Sequence, residues 1–178
     1  MRKLIVSTIL LCLTTIQGFS QSRRLVSLYL QGQFNKTLYD RTSQNNPWGL
    51  GLGLQVHMNN ASKFKPTVDI MADTYLEGKK VQLTNPDGSH VDNVGSTVNL
   101  FAGTSYHPIQ SLYISFVAGP SWMGNGQRLM AIKPSFGFHF SPTQRWTAKI
   151  SYINVFNRDM TTKEDFGSIS LSLGMKLF

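Results

Sequence analysis

The sequence predicts an all-β chain, with eight antiparallel strands in up-and-down order closed into a transmembrane β-barrel behind a cleaved signal peptide. Three observations carry that prediction. Apolar residues fall on every second position in eight separate runs. The connections between runs alternate short and long, and the faces opposite the apolar rows hold glycine, serine and amides rather than charge. Period two is the mark of a strand with two unlike faces, and alternating turn lengths describe a meander.

Residues 1–20 read as the leader. Arg2 and Lys3 form a basic start, "LIVSTILLCLTTI" is an apolar run of h-region length, and Gly18-Phe19-Ser20 supplies the cleavage site, leaving Gln21 as the mature start. The run is shorter than the roughly 20 residues of a membrane helix. Cys12, the one cysteine of the 178-residue sequence, lies inside it. The exported domain, 21–178, therefore uses no disulfide.

The strands are expected at 24–34, 47–58, 64–76, 95–107, 111–122, 128–140, 145–156 and 167–178. In the sixth, Met130, Ile132, Phe136, Phe138 and Phe140 share one face, while Ala131, Lys133, Ser135, Gly137 and His139 share the other. In the last, Ile169, Leu171, Leu173, Met175 and Leu177 oppose Ser168, Ser170, Ser172, Gly174 and Lys176. The connections "NNASK", "HPIQ" and "SPTQ" are short; "NKTLYDRTSQNN", "EGKKVQLTNPDGSHVDNV" and "NRDMTTKEDF" are long, and "MGNGQ" is intermediate.

Alternation alone does not say which face is outside, since a soluble lipocalin-like barrel carries the same pattern in the opposite sense. Three further features put the oily rows outward. The polar rows are too poor in charge for a water-exposed surface and hold Gly49, Gly51, Gly53, Ser115 and Gly119 instead. Aromatics on the oily rows cluster at two heights. Phe34, Trp48, Trp122 and Phe156 lie toward the long loops; Phe64, Tyr106, Phe138, Phe140 and Trp146 lie toward the short turns. Two aromatic girdles around an aliphatic band match the two lipid–water interfaces. The runs also reach the roughly 9–11 tilted residues that cross the hydrocarbon.

On these alternating runs, and on the terminal "GMKLF", the chain resembles the small eight-stranded outer-membrane β-barrel proteins of Gram-negative bacteria, the OmpA/OmpX-like superfamily. The resemblance covers the whole exported domain. It implies residence in the outer membrane, contact with outer-membrane lipid, and recognition of Phe178 by the outer-membrane assembly machinery. Phe178 departs from the pattern, because it is out of phase with the oily row ending at Leu177. The long connections 35–46, 77–94 and 157–166 are the segments expected to meet an extracellular partner.

The formal charge of +8 does not indicate nucleic acid. Two cations belong to the leader, the rest are scattered, and no basic stripe with interleaved aromatics is present. "GLGLGL" lacks the third glycine and the helix of a phosphate loop, with Leu54 where that glycine would stand. "HFS", His139 to Ser141, is similar to the His-x-Ser pair of lipid A deacylase barrels, but Glu77 and Glu164 lie at the opposite end. "PDGSHVD" holds Asp87, Ser89, His90 and Asp92, a set that could build a nucleophile and base and that also reads as a plain β-turn. Pro120 and Pro134 each remove a ladder donor, giving a bulge, a bend or a lateral opening. His57, His90, His107 and His139 sit in different segments with no metal-ligand spacing, and no cofactor is implied.

By phase, Asp69, Asp73, Lys133 and Lys149 all point inward. Charges in a narrow lumen must pair, so these four are expected to form an ionic network that closes the barrel, extended by Tyr29, Gln31, Gln33, Gln55 and Asn99. The expected role is structural or interactive and non-enzymatic, with a filled polar lumen and long outer loops. Lipid A or phospholipid modification is the alternative, and a soluble lipocalin-like binder the third.

Overall fold

The structure is a computed structural model that describes residues 25–39, 46–76, 88, 94–124, 126–140, 143–158 and 165–178. The expected leader and its cleavage site lie outside the described residues. The strands are β1 (Val26–Thr37), β2 (Trp48–Met58), β3 (Phe64–Leu76), β4 (Ser96–Ile109), β5 (Leu112–Met123), β6 (Arg128–His139), β7 (Trp146–Val155) and β8 (Phe166–Lys176). Each pairs antiparallel with its sequence neighbours, and β1 pairs with β8 to close the barrel. Closure removes the free edges that an open sheet of this length would present.

The oily rows face outward. Leu50, Leu52, Ile70, Leu100, Ile114, Ile150, Leu171 and Leu173 are all exposed, whereas Gln31, Asn35, Gln55, Asp69, Lys133 and Ser170 are buried. This is the reverse of a soluble barrel, which hides its leucines. The two girdles are present on this surface, with Phe34, Trp48, Trp122 and Phe156 at one height and Phe64, Phe138, Phe140 and Trp146 at the other. Phe34 stacks on Trp48, and Phe64 lies against Tyr106. The barrel is therefore a membrane-spanning one, its exterior solvated by acyl chains.

Cross-strand register explains the glycines of "WGLGLGLQVHM". Gly49, Gly51 and Gly53 stand opposite Tyr75, Asp73 and Met71 of β3. A Cβ on Gly49 would meet the Tyr75 ring, one on Gly51 the Asp73 carboxylate, and one on Gly53 the Met71 sulfur. The strand gives up its inward side chains so that its neighbour can keep large ones.

Three local expectations are corrected. The first strand runs on to Thr37, so Asn35, Lys36 and Thr37 belong to β1 rather than to the connection 35–46. They pair with β8, Asn35 and Lys36 also pair with β2, and the Thr37 amide donates to the Pro47 carbonyl. Likewise Phe166, expected at the end of the last long connection, begins β8 and is buried. Neither proline makes a bulge. Pairing of β4 with β5 lapses between Asn99↔Ser121 and Ala102↔Ala118, and that of β6 with β7 between Ile132↔Asn154 and Ser135↔Ser151. The register is the same on both sides of each gap, because losing one N–H breaks a rung without inserting a residue. The register shift in β4–β5 lies elsewhere, between Tyr106 and Ile109.

Pairing beside Phe178 departs from the regular ladder. Leu177 donates to the Leu28 carbonyl, while the Leu28 amide donates to the carbonyl of Phe178. Two residues thus oppose one, which is a β-bulge. Leu177 is exposed, and Phe178 beside it is half-buried.

Candidate functional site

Three tiers of side chains fill the interior. The middle tier is polar. Asp69 on β3 accepts hydrogen bonds at Oδ2 from Lys133 Nζ of β6 at 2.8 Å and Lys149 Nζ of β7 at 3.1 Å. All three are fully buried, and the Lys133 ammonium also lies 5.9 Å from the Phe101 ring centroid. Asp73 is held differently, by neutral amides. Gln33 and Asn35 of β1 donate to its Oδ1, and Asn99 of β4 donates to Oδ2 at 3.1 Å. Ser172 and Ser170 of β8 donate in turn to Gln33 and Asn35. Gln31 donates to Gln55 at 2.6 Å.

The glycine row makes this tier possible. Gln33, Gly51 and Asp73 lie side by side on β1, β2 and β3. With no side chain on Gly51, the Gln33 amide reaches over β2 to the carboxylate.

Toward the long loops the lumen becomes apolar, a departure from the wholly polar interior expected. Tyr75, Phe101, Val117, Met123, Val155 and Phe166 belong to one buried cluster, with Tyr75 and Phe166 edge to face at 5.2 Å. Above it, Tyr39 donates to Asn154 Oδ1 and bonds the Tyr152 hydroxyl at 2.9 Å, and Asn154 donates to Asp165. The root of the first long connection is thereby tied to that of the last. The Tyr152 hydrogen bond, with burial and the nearby Asp165 charge adding to it, pushes the Tyr39 phenol up to about 12.

Toward the short turns lies a feature the sequence reading missed. His57, His107 and His139 meet Tyr29 and Tyr113 in one packed set of rings. Tyr113 stacks on His139 at 5.0 Å and on His107 at 5.3 Å, and His57 stands edge-on to His107 at 5.6 Å. Gly137, opposite Tyr113, leaves the space this ring fills. The available signal was position: each histidine is inward by phase and close to a short turn on its own strand. Among the described residues no group is arranged to hold a metal ion. His139 of "HFS" belongs to this ring set, while Ser141, Glu77, Glu164 and the reactive residues of "PDGSHVD" lie outside the described residues.

By sequence, no family model and no curated protein matches the chain. Solved structures do. The outer-membrane protein Ail of Yersinia pestis in a phospholipid nanodisc aligns with TM-score 0.55 at 11% identity, over 85% of this chain and 99% of that one. The fold is that of the small eight-stranded outer-membrane barrels. Neisserial surface protein A aligns with TM-score 0.50 at 12% identity, over 85% and 97% of the two chains. A transmembrane β-barrel designed de novo aligns with TM-score 0.52 at 9% identity, over 85% and 95%. Likeness at these identities fixes the fold and not an activity.

Proposed function

We propose that the protein resides in the outer membrane and works as a non-enzymatic surface-interaction barrel, presenting its long connections to extracellular partners. The observation that carries this reading is the asymmetry of a plugged barrel. The longest connections, 38–47, 77–95 and 156–165, all leave from one end, while 59–63 and 110–111 turn back at the other. Loops on a rigid scaffold are where binding residues are placed. The lumen offers no competing route, being filled from the ring set to the apolar cluster. The neighbours named as an outer-membrane protein and as a surface protein support the same placement.

Two measurements test this reading. An epitope inserted between positions 80 and 90 should be reached by antibody on intact cells, and one inserted between 60 and 62 only after permeabilisation. The opposite pattern refutes the orientation. Mass spectrometry of lipid A and phospholipids should show no species that depends on the protein. A mass shift lost in Ser89→Ala or Ser141→Ala would make it an enzyme.

A further inference from the structure

The short-turn mouth of the lumen collects positive and ionisable groups from strand after strand. Lys65 of β3 lies close enough to His57, His107 and His139 for its charge to act on all three, and Lys176 of β8 acts on His139. Lys149 of β7 acts on His57 from below. Tyr29 of β1 and Tyr113 of β5 pack among the rings and carry no charge at neutral pH. Among the described residues the side-chain carboxylates are Asp69, Asp73 and Asp165. Asp69 already receives two lysines, Asp73 sits on its amides, and Asp165 is at the other end.

The ring nitrogens show what the mouth lacks. His57 Nδ1 bonds Thr67 Oγ1 at 3.0 Å, and Thr67 Oγ1 donates to the Lys65 carbonyl, which can only accept. Ser105 Oγ lies 2.7 Å from the same hydroxyl, and His57 Nε2 faces no hydrogen-bond partner. That Nε2, both nitrogens of His107 and Nδ1 of His139 have no partner within the protein. His57 and His139 are 2% exposed and His107 is 8% exposed. Buried polar atoms left unpaired are costly, and here they accumulate in one place. A proton on a ring would turn an unpaired acceptor into a donor, and that donor then needs an anion facing it. No described side-chain carboxylate is within hydrogen-bond distance of these nitrogens.

We propose that this mouth is a binding site for a phosphate-bearing anion, held by Lys65, Lys176 and the rings of His107 and His139, and that occupancy brings protons onto the histidines. Phosphate oxygens only accept at their ionised positions, which matches a set composed of ammonium groups and imidazolium N–H donors. Linkage requires that anion and proton each strengthen the binding of the other. The ligand is either free phosphate in the aqueous compartment or the headgroup of an anionic phospholipid.

The test uses the full chain folded in phosphatidylcholine nanodiscs, with histidine ring nitrogens followed by NMR near pH 6.5. Inorganic phosphate should move ring signals toward the imidazolium position, while sodium chloride at matched ionic strength should not. Affinity should rise as the pH falls from 8 to 6. Lys65→Gln should weaken it about tenfold or more, the loss of one charge-assisted contact. Lys63→Gln, on the exposed turn nearby, should leave affinity unchanged. Phosphatidylglycerol in the disc distinguishes the sources. Ring shifts produced by that lipid alone assign the headgroup, and shifts produced by phosphate alone assign a soluble ligand. Should Lys65→Gln fail to fold, His107→Gln provides the same comparison. Ring signals that ignore both anions, or equal weakening by Lys63→Gln, would overturn the proposal.

Discussion

Replacing Asp69 with asparagine tests how the lumen is held. The substitution keeps the shape and removes the single charge that Lys133 and Lys149 share at 2.8 and 3.1 Å. Removing one partner of a buried pair costs about 3–5 kcal/mol, because the other is left uncompensated in low dielectric. Here two ammonium groups lose their anion at once, so Asp69→Asn belongs at the upper end of that range. At about 5 kcal/mol the ratio of folded to unfolded chain falls roughly five-thousandfold. Lys133→Met is milder, since Lys149 remains on Asp69 and the pair survives; about 1–3 kcal/mol is expected. The double variant leaves Lys149 alone with its charge, one cation fewer than Asp69→Asn. It should be less damaged than the two single losses summed, with a coupling of about 1–3 kcal/mol. Urea unfolding from lipid vesicles, followed by tryptophan emission and by the heat-dependent shift in gel mobility, measures all four proteins. Asp69→Asn within about 1 kcal/mol of the parent, or strict additivity in the cycle, would refute the reasoning.

Gly51→Val should cost about 1–3 kcal/mol by overpacking, because its Cβ would overlap the Asp73 carboxylate and crowd Gln33; the same urea titration reads the loss. Leu52, 68% exposed at the middle of β2, faces the bilayer centre, so Leu52→Arg should cost about 2–4 kcal/mol in vesicles. A soluble-type barrel would tolerate that change. Tyr39 contributes a pH dependence. Its folded-state value of about 12 is above the usual 10, so its hydrogen bonds support the fold fully below pH 10 and are lost between 10 and 12. Ultraviolet titration of Tyr39→Phe should lack one tyrosine that ionises near pH 12 in the parent.

The strands were legible because period two is a local property. A run such as "SISLSLGMKLF" declares its two faces without knowledge of its neighbours. The end of β1 was harder to read, since "NKT" has the composition of a turn. Asn35 and Thr37 are nevertheless inward, and the Thr37 hydroxyl donates to the Asn46 carbonyl. The lumen was legible only as a facing. Phase places Asp69, Asp73, Lys133 and Lys149 inside, but it does not say that Asp69 meets both lysines while Asp73 meets amides. That depends on the stagger of β3 against β6 and β7, which closure of the whole barrel sets. The histidines illustrate the same limit. His57, His107 and His139 belong to three different hairpins, so no sequence spacing relates them, and only equal height from the short turns brings them together.

The arrangement leaves few places where this chain can meet another molecule. The outer wall is a row of leucines, isoleucines and aromatics matched to acyl chains, and a polar ligand gains nothing there. The interior is filled along its length, by rings, then by the Asp69 and Asp73 tiers, then by the Tyr75–Phe166 cluster. Recognition is thus confined to the two ends, and the ends differ in kind. The loop end rests on an apolar plug with its connection roots tied through Tyr39, Asn154 and Asp165, so the long segments can vary without loosening the barrel. The short-turn end has little loop to vary, and its chemistry is built into inward strand positions. On the proposed reading, a partner at the first end is selected by loop sequence, and the anion proposed for the second by charge and proton affinity.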